Sequence, residues 1–259
     1  MAMTLYHGEP TGPSLTVLAA LFESGLNAEL RPIDLGMAER HGGTVPRAFE
    51  VDYSVEGEGP VLVVDGHALC DSVFIACYLD DAAPGCGLRP TDPYARWEMM
   101  AWCRWMIERV APGAAALANL AWTTPRLAAL DDARFDALIA PIASQDLAER
   151  WRETRSGQLS AEHRAASEAR VREATQKIEG RLEARDWLMG SFSIADLESY
   201  AWVAPMRDLL SDAFTDKPRL AAWLARVEAR PSVQRALAQA RSPQPAHAFA
   251  PGPEINRWG

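Results

Sequence analysis

Asp71 and Ser72 stand side by side between the runs GPVLVVDGHALC and VFIACYLD, and their types suit one kind of ligand. A carboxylate attracts an amine. The start of a helix presents unpaired N–H groups and the positive end of a dipole, which attract a carboxylate. Together they would grip the head group of an amino acid, which carries both charges. In the plainer reading Ser72 caps a helix and Asp71 suits its dipole, and the local residues leave the two readings level. The flanking pattern supplies the frame that holds the pair. Val61 to Val64 is too short and too β-branched for a helix, and Asp65-Gly66 is a strong hairpin signal. Val73, Ile75, Ala76 and Leu79 then mark one face of a helix opened by Asp71 or Ser72.

A second hydroxyl, Ser14, follows the Gly/Pro-rich stretch His7 to Pro13 at the start of a segment with Leu15, Leu18, Ala19, Leu21 and Phe22 at helical spacing. It would cap the helix or point outward, and Gly25 would close it. Thr4 to Tyr6 and Glu29 to Leu35 read as strands on either side, a parallel crossover unit. From Gly36 to Gly59 the pattern dissolves into a long charged, Gly-rich loop containing Arg40 and His41, and loops of that length are more often functional than idle. The order β-α-β, loop, β-β-α is that of a thioredoxin-like domain.

Ala82 to Asp92 reads as a linker, and the character then changes to helix throughout. Helices are expected from Pro93 to Val110, Phe135 to Thr154, Ala161 to Ala184, Ser193 to Val203, Pro218 to Arg230 and on to Ala240, with a Pro-rich tail ending at Trp258-Gly259. Ser193 and Asp196 form a capping box flanked by Phe192 and Leu197, and the helix they open is apolar enough to be the buried centre of an all-α domain.

The 259 residues carry a formal charge of -9, which argues against nucleic acid or an anionic membrane as the main partner. No stretch has the pattern of a signal peptide or a bilayer span, so a cytoplasmic location is expected. Cys70, Cys77, Cys86 and Cys103 form no CxxC pair and have no His at ligand spacing, so they read as reduced thiols and no metal site is expected.

Taken jointly, the thioredoxin-like half, Pro60 before the third strand, the acid-Ser pair, the linker and the all-α half with its capping box resemble the glutathione transferase superfamily over nearly the whole chain. The resemblance implies an α/β thioredoxin-like N-terminal domain at residues 1–81, a linker at 82–92, an all-helical domain at 93–240 and a tail at 241–259. It implies glutathione as co-substrate, a small aromatic electrophile as second substrate, and a homodimer. Pro60 takes the place of the family's cis-proline, with Gly59 offering its backbone to the cysteinyl unit, and Asp71-Ser72 takes the place of the pair that holds the γ-glutamyl group. Pro141 to Gly157 and Leu88 to Met106 are similar to bacterial lignin β-aryl etherases of the fungal-like branch. Two features depart from the family: the approach Glu56-Gly57-Glu58-Gly59, and Asp where Glu is commoner.

Glutathione attacks as its thiolate, so a donor must stabilise sulfur anion. Ser14 is the first candidate and Thr11 the second, with Tyr6 assigned to the sheet. Arg40 and His41 are candidates for the glycyl carboxylate, with Arg104 and Arg109 as lesser ones. Of nine tryptophans, Trp102, Trp105 and Trp122 would line the aromatic pocket beside Met106, with Met99 and Met100 nearby, while Trp151 and Trp202 fill core. The reaction expected is substitution at the carbon that bears an aryloxy group next to a ketone, releasing a phenol. The alternatives are a general transferase, a glutathione-dependent isomerase, or a non-catalytic glutathione-binding protein.

Overall fold

The computed structural model describes residues 2–46 and 58–251. The approach Asp52 to Gly57 and the terminal Trp258-Gly259 therefore lie outside the described residues. Strand β1 (Met3–His7) runs parallel to β2 (Glu29–Pro32), joined by helix α1 (Gly12–Ser24). β3 (Val61–Val64) lies antiparallel to β1 on its other side and turns into β4 (His67–Leu69), giving the order β2-β1-β3-β4. The turn residues Asp65 and Gly66 have φ of 46° and 88°, the all-positive backbone whose twist fits a two-residue hairpin. Helix α2 (Ser72–Ala82) follows directly, so the β-α-β-β-β-α half has the expected course. The second strand ends at Pro32, short of Leu35, because Leu35–Met37 and Glu39–His41 wind into 3-10 turns. The Gly59–Pro60 bond is trans, since no described peptide bond is cis. This corrects the cis geometry expected at Pro60, and trans is the isomer that X-Pro bonds favour intrinsically.

The second half is helical. From α3 (Pro93–Trp105) the chain continues through a π turn at Met106–Val110 into α4 (Ala111–Ala118), then a second π turn at Asn119–Thr123 into α5 (Thr124–Ala128). Each π turn precedes a proline, Pro112 or Pro125, whose ring cannot donate to the ladder and crowds the preceding turn, so the helix widens there. The single helix expected over Phe135 to Thr154 is two, α6 (Asp132–Ile139) and α7 (Gln145–Ser156). Pro141 stops the first, and Ser144 caps the second through Leu147 N–H at 3.3 Å. Then come α8 (Ala161–Arg181), α9 (Ile194–Val203), α10 (Pro218–Glu228) and α11 (Pro231–Leu237).

Helix α9 is buried on every side, as its lack of a polar face requires, and it carries the capping box between Ser193 and Asp196. It packs against α1, which is sandwiched between the sheet half and the bundle and buries every residue from Gly12 to Leu21. One continuous core thus runs from Leu5 and Leu18 through Ile194 and Ala201 to Trp223. Both halves meet along α1, and this junction holds the polar groups described next.

Candidate active site

Helix α1 begins two residues ahead of Ser14. Thr11 is its N-cap residue, with extended backbone (φ -142°, ψ 158°) and no side-chain cap bond. The Thr11 hydroxyl is buried, and it finds no hydrogen-bond partner among the described residues. Gly12 follows with φ 51°, a left-handed conformation that a side chain would strain. Ser14 sits in the first turn, where its Oγ accepts from the Gly8 N–H at 3.0 Å and ties down the preceding loop. His7, at the end of β1, is buried and donates from Nδ1 to the Gly8 carbonyl at 2.7 Å. Burial pushes its pKa down, so the ring is neutral and this bond fixes its tautomer.

The start of α2 is strained. Asp71 has φ 72° and ψ 119°, a backbone region that costs a non-glycine residue roughly 1–3 kcal/mol. Its Oδ1 caps the helix, accepting from Val73 N–H at 3.2 Å and Phe74 N–H at 3.4 Å. Ser72 is fully buried, and its hydroxyl donates 3.0 Å to Oε2 of Glu198 from α9. Thr16 of α1 donates to the same oxygen at 2.9 Å, and Trp202 Nε1 donates to Oε1 at 2.7 Å. Desolvation drives the Glu198 pKa upward, these three donors offset part of that rise, and the charge of Asp71 adds to it. Two turns' worth of polar residues from three helices therefore meet at one point where the sheet half touches the bundle.

Arg40 is buried in the second 3-10 turn. Its neighbour His41 turns to Glu58, whose Oε1 lies 2.8 Å from His41 Nε2 and accepts from Trp151 Nε1 at 2.8 Å. Trp151 fills core as expected, and it also anchors this carboxylate from α7. Gly59 and Pro60 are buried just ahead of β3.

The tail closes over the junction. Thr123 donates to the Phe249 carbonyl at 2.6 Å, Asn119 to that of Ala250 at 3.2 Å, and the Glu58 N–H to that of Pro251 at 3.1 Å. The Phe249 ring is buried beside Gly12, Trp202 and Trp122, and Trp122 also stacks on His247 at 4.2 Å. Of the tryptophans expected to line one pocket, Trp122 is thus here, against the tail rings of His247 and Phe249. Trp102 and Trp105 contact each other on the side facing α8, under Arg181 and Lys177, and Trp102 donates to Ser199. Met106 is wholly buried in core. Arg104 pairs with Glu108 at the surface. A cavity of about 570 Å³ lies farther out, lined among others by Ala115, Leu120, Arg150, His163 and Pro251.

Sequence reasoning missed Glu198 and Phe249. The available signal for Glu198 was a second acid beyond the capping Asp196, with Trp202 four residues on, in a helix otherwise suited to burial on all faces. Phe249 carried no signal beyond being a large apolar residue in a Pro-rich tail.

Fold and sequence together place the chain in one class. Residues 1–81 match the model of the glutathione S-transferase N-terminal domain, and residues 130–231 that of the glutathione S-transferase C-terminal domain. The chain is 30% identical over 254 residues to Protein LigF of Sphingobium sp. (strain NBRC 103272 / SYK-6), covering 90% of this chain and 92% of that protein. It belongs to the glutathione S-transferase family and is a glutathione-dependent transferase. Among solved structures, the β-etherase LigF of Sphingobium sp. strain SYK-6 superposes with a TM-score of 0.82 at 27% identity, over 93% of this chain and all (100%) of that one. A glutathione transferase from Burkholderia graminis, solved with two glutathione molecules per subunit, shares the fold with a TM-score of 0.64 at 21% identity, over 93% of this chain and 89% of that one.

Proposed function

We propose that this transferase cleaves β-aryl ethers of lignin-derived aromatic ketones. The observation that carries the reading is the likeness to the β-etherase LigF along nearly the entire chain. Glutathione binds with its γ-glutamyl end at Asp71-Ser72, its cysteinyl backbone along Gly59-Pro60, and its glycyl carboxylate toward Arg40. His41 supports that end through Glu58. The sulfur comes to rest at the start of α1, where the Thr11 hydroxyl and the helix dipole stabilise the thiolate. Thr11 suits this role better than Ser14, because its buried hydroxyl has no other described partner while Ser14 already braces the Gly8 amide. Trp122, Trp202 and Phe249 offer aromatic faces beside Gly12 for an aryl group.

In the reaction the thiolate forms a C–S bond at the carbon bearing the aryloxy group. The C–O bond breaks on the opposite face, and the phenolate leaves with the electron pair and takes a proton from water. The adjacent ketone makes that carbon electrophilic, so orientation and thiolate stabilisation carry most of the barrier reduction. Residues 1–81 and 93–240 serve as the glutathione and electrophile domains, joined by 82–92 and followed by the tail 241–259, and the working unit is a cytoplasmic homodimer. Incubation with glutathione and each enantiomer of a β-aryl ether ketone is expected to release free phenol from one of them. Release from neither removes the etherase reading and leaves the transferase class standing.

A further inference from the structure

Glu58 stands directly ahead of Gly59-Pro60, and its side chain is wholly buried. Its Oε1 lies 2.8 Å from Nε2 of His41 in the sheet half and accepts from Nε1 of Trp151 in the bundle at 2.8 Å. An acid at this place cannot itself take the glycyl carboxylate of glutathione, because a buried like charge repels it. It can act only through what it holds, which is the 3-10 turn of Arg40 and His41. That turn is tied to the bundle in a second way. Met37 and Ala38, just ahead of it, pack with Leu127, Phe135 and Trp151 in an apolar cluster separate from the main core. The turn therefore takes part of its position from helices α5 to α7. Glutathione makes that position exacting. Consecutive peptide units are about 3.8 Å apart, so grips on the cysteinyl backbone and on the glycyl carboxylate must keep their spacing to a fraction of that distance. Glu58 adjoins the first grip in sequence and is bonded to the second in space.

We propose that Glu58 and Trp151 are positioning residues for the glycyl end of glutathione: the Trp151 N–H holds Glu58, Glu58 holds the turn of Arg40 and His41, and helix α7 thereby sets how the third residue of the peptide is recognised without touching it. This rests on the reading that the glycyl carboxylate lies toward Arg40. Trp151 is then more than core filling. A phenylalanine would pack in the same apolar cluster, and only the indole N–H reaches Oε1.

The test is calorimetry on the full chain with two unreactive probes, S-methylglutathione and S-methyl-γ-glutamylcysteine, which lacks the glycyl unit. The wild type is expected to bind the tripeptide about tenfold or more tighter, the scale of one charged hydrogen bond. Trp151→Phe keeps a ring in the cluster and removes the N–H, and Glu58→Gln keeps the shape and removes the charge that holds His41. In each variant the preference for the tripeptide is expected to fall by about threefold or more, while the dipeptide binds as it does to the wild type. The second variant keeps the test decisive should the first fail to fold. A general loosening of the molecule would weaken both probes alike. That result, or an unchanged preference in either variant, overturns the proposal and leaves the glycyl reading standing. A wild type that does not distinguish the two probes overturns the proposal and the glycyl reading together.

Discussion

The Thr123 hydroxyl donates to the Phe249 carbonyl at 2.6 Å, and that bond holds a buried aromatic ring against the start of α1. Gly12, Trp202 and Trp122 surround the ring, so the tail supplies one wall of the space into which an aryl group would come. Phe249→Ala removes the wall and leaves a void. A loss of stability of about 3 kcal/mol is expected from a large-to-small change of this kind, read from urea midpoints. The same variant is expected to gain on bulky aryl ethers relative to small ones in kcat/KM. Unchanged relative rates across such a series would place the electrophile elsewhere.

Thr11 and Ser14 are separable by what each hydroxyl does. Thr11→Val removes a buried donor that has no described partner, so it costs little stability, but the pKa of bound glutathione is expected to rise by about one unit or more. Activity then falls severalfold near pH 6.5 and recovers as pH rises and the thiol ionises unaided. Ser14→Ala instead orphans the Gly8 N–H, with an expected cost of about 1–3 kcal/mol in stability and a smaller change in thiol pKa. Ultraviolet difference titration of bound glutathione reads both. If Ser14→Ala shifts the thiolate absorbance and Thr11→Val does not, the roles are reversed.

What the sequence discloses about this chain is mainly local chemistry. Asp65-Gly66 demands its turn because few other pairs accept two positive φ values, and Ser193 with Asp196 closes its box within one helical turn. The sequence leaves the cap of α2 open between Asp71 and Ser72; the folded chain gives it to Asp71, whose positive φ no local pattern announces. The failures have other causes. Pro141 was in plain view, yet the apolar spacing on both sides suggested one helix across it. Trp102, Trp105 and Trp122 all lie on one winding rod, but two π turns rotate its face, so spacing alone misassigns which side each ring takes. The Glu198–Ser72 and Trp151–Glu58 bonds join residues 126 and 93 positions apart, and nothing in either neighbourhood names the partner.

The two buried carboxylates of α9 set a pH dependence of stability. Burial pushes Asp196 up to about 6 and Glu198 up to about 7, against ordinary values of 3.8 and 4.5. Asp71, the N-cap of α2, adds its charge at Glu198, and Cys103 on α3 feels both Glu198 and Asp196, while the uncharged donors Thr16, Ser72 and Trp202 bond the Glu198 carboxylate directly. Both folded pKa values lie above the unfolded ones. Their contribution is therefore fully present below about pH 4 and is lost as pH rises through 6 to 7, where the folded state must finally ionise them. Glu198→Gln removes one of the two slopes. Between pH 4.5 and 7.5 its stability is expected to fall less steeply than that of the wild type in urea titrations, by on the order of 3 kcal/mol across the window. Parallel curves would mean that Glu198 titrates normally.

Phe74 on α2 and Tyr94 and Trp97 on α3 are 61%, 70% and 61% exposed, the large hydrophobic side chains left in water among the described residues. Tyr94 and Trp97 touch each other at 5.5 Å between ring centroids, and α2 meets α3 where Cys77 lies 3.9 Å from Met100. Exposed aromatic rings on adjoining helices are costly to leave in water and are the residue types that anchor interfaces. The proposed homodimer would bury them, joining the sheet half of one protomer, which carries α2, to the bundle of the other, which carries α3. Trp97→Glu places a charge where an apolar contact would form, and sedimentation is expected to show a monomer at concentrations where the wild type is a dimer. Because Trp97 is exposed in the single chain, the variant should keep its fold and its unfolding midpoint as a monomer. A dimer that survives both Trp97→Glu and Phe74→Glu must be held by another face, and these rings would then need a different explanation.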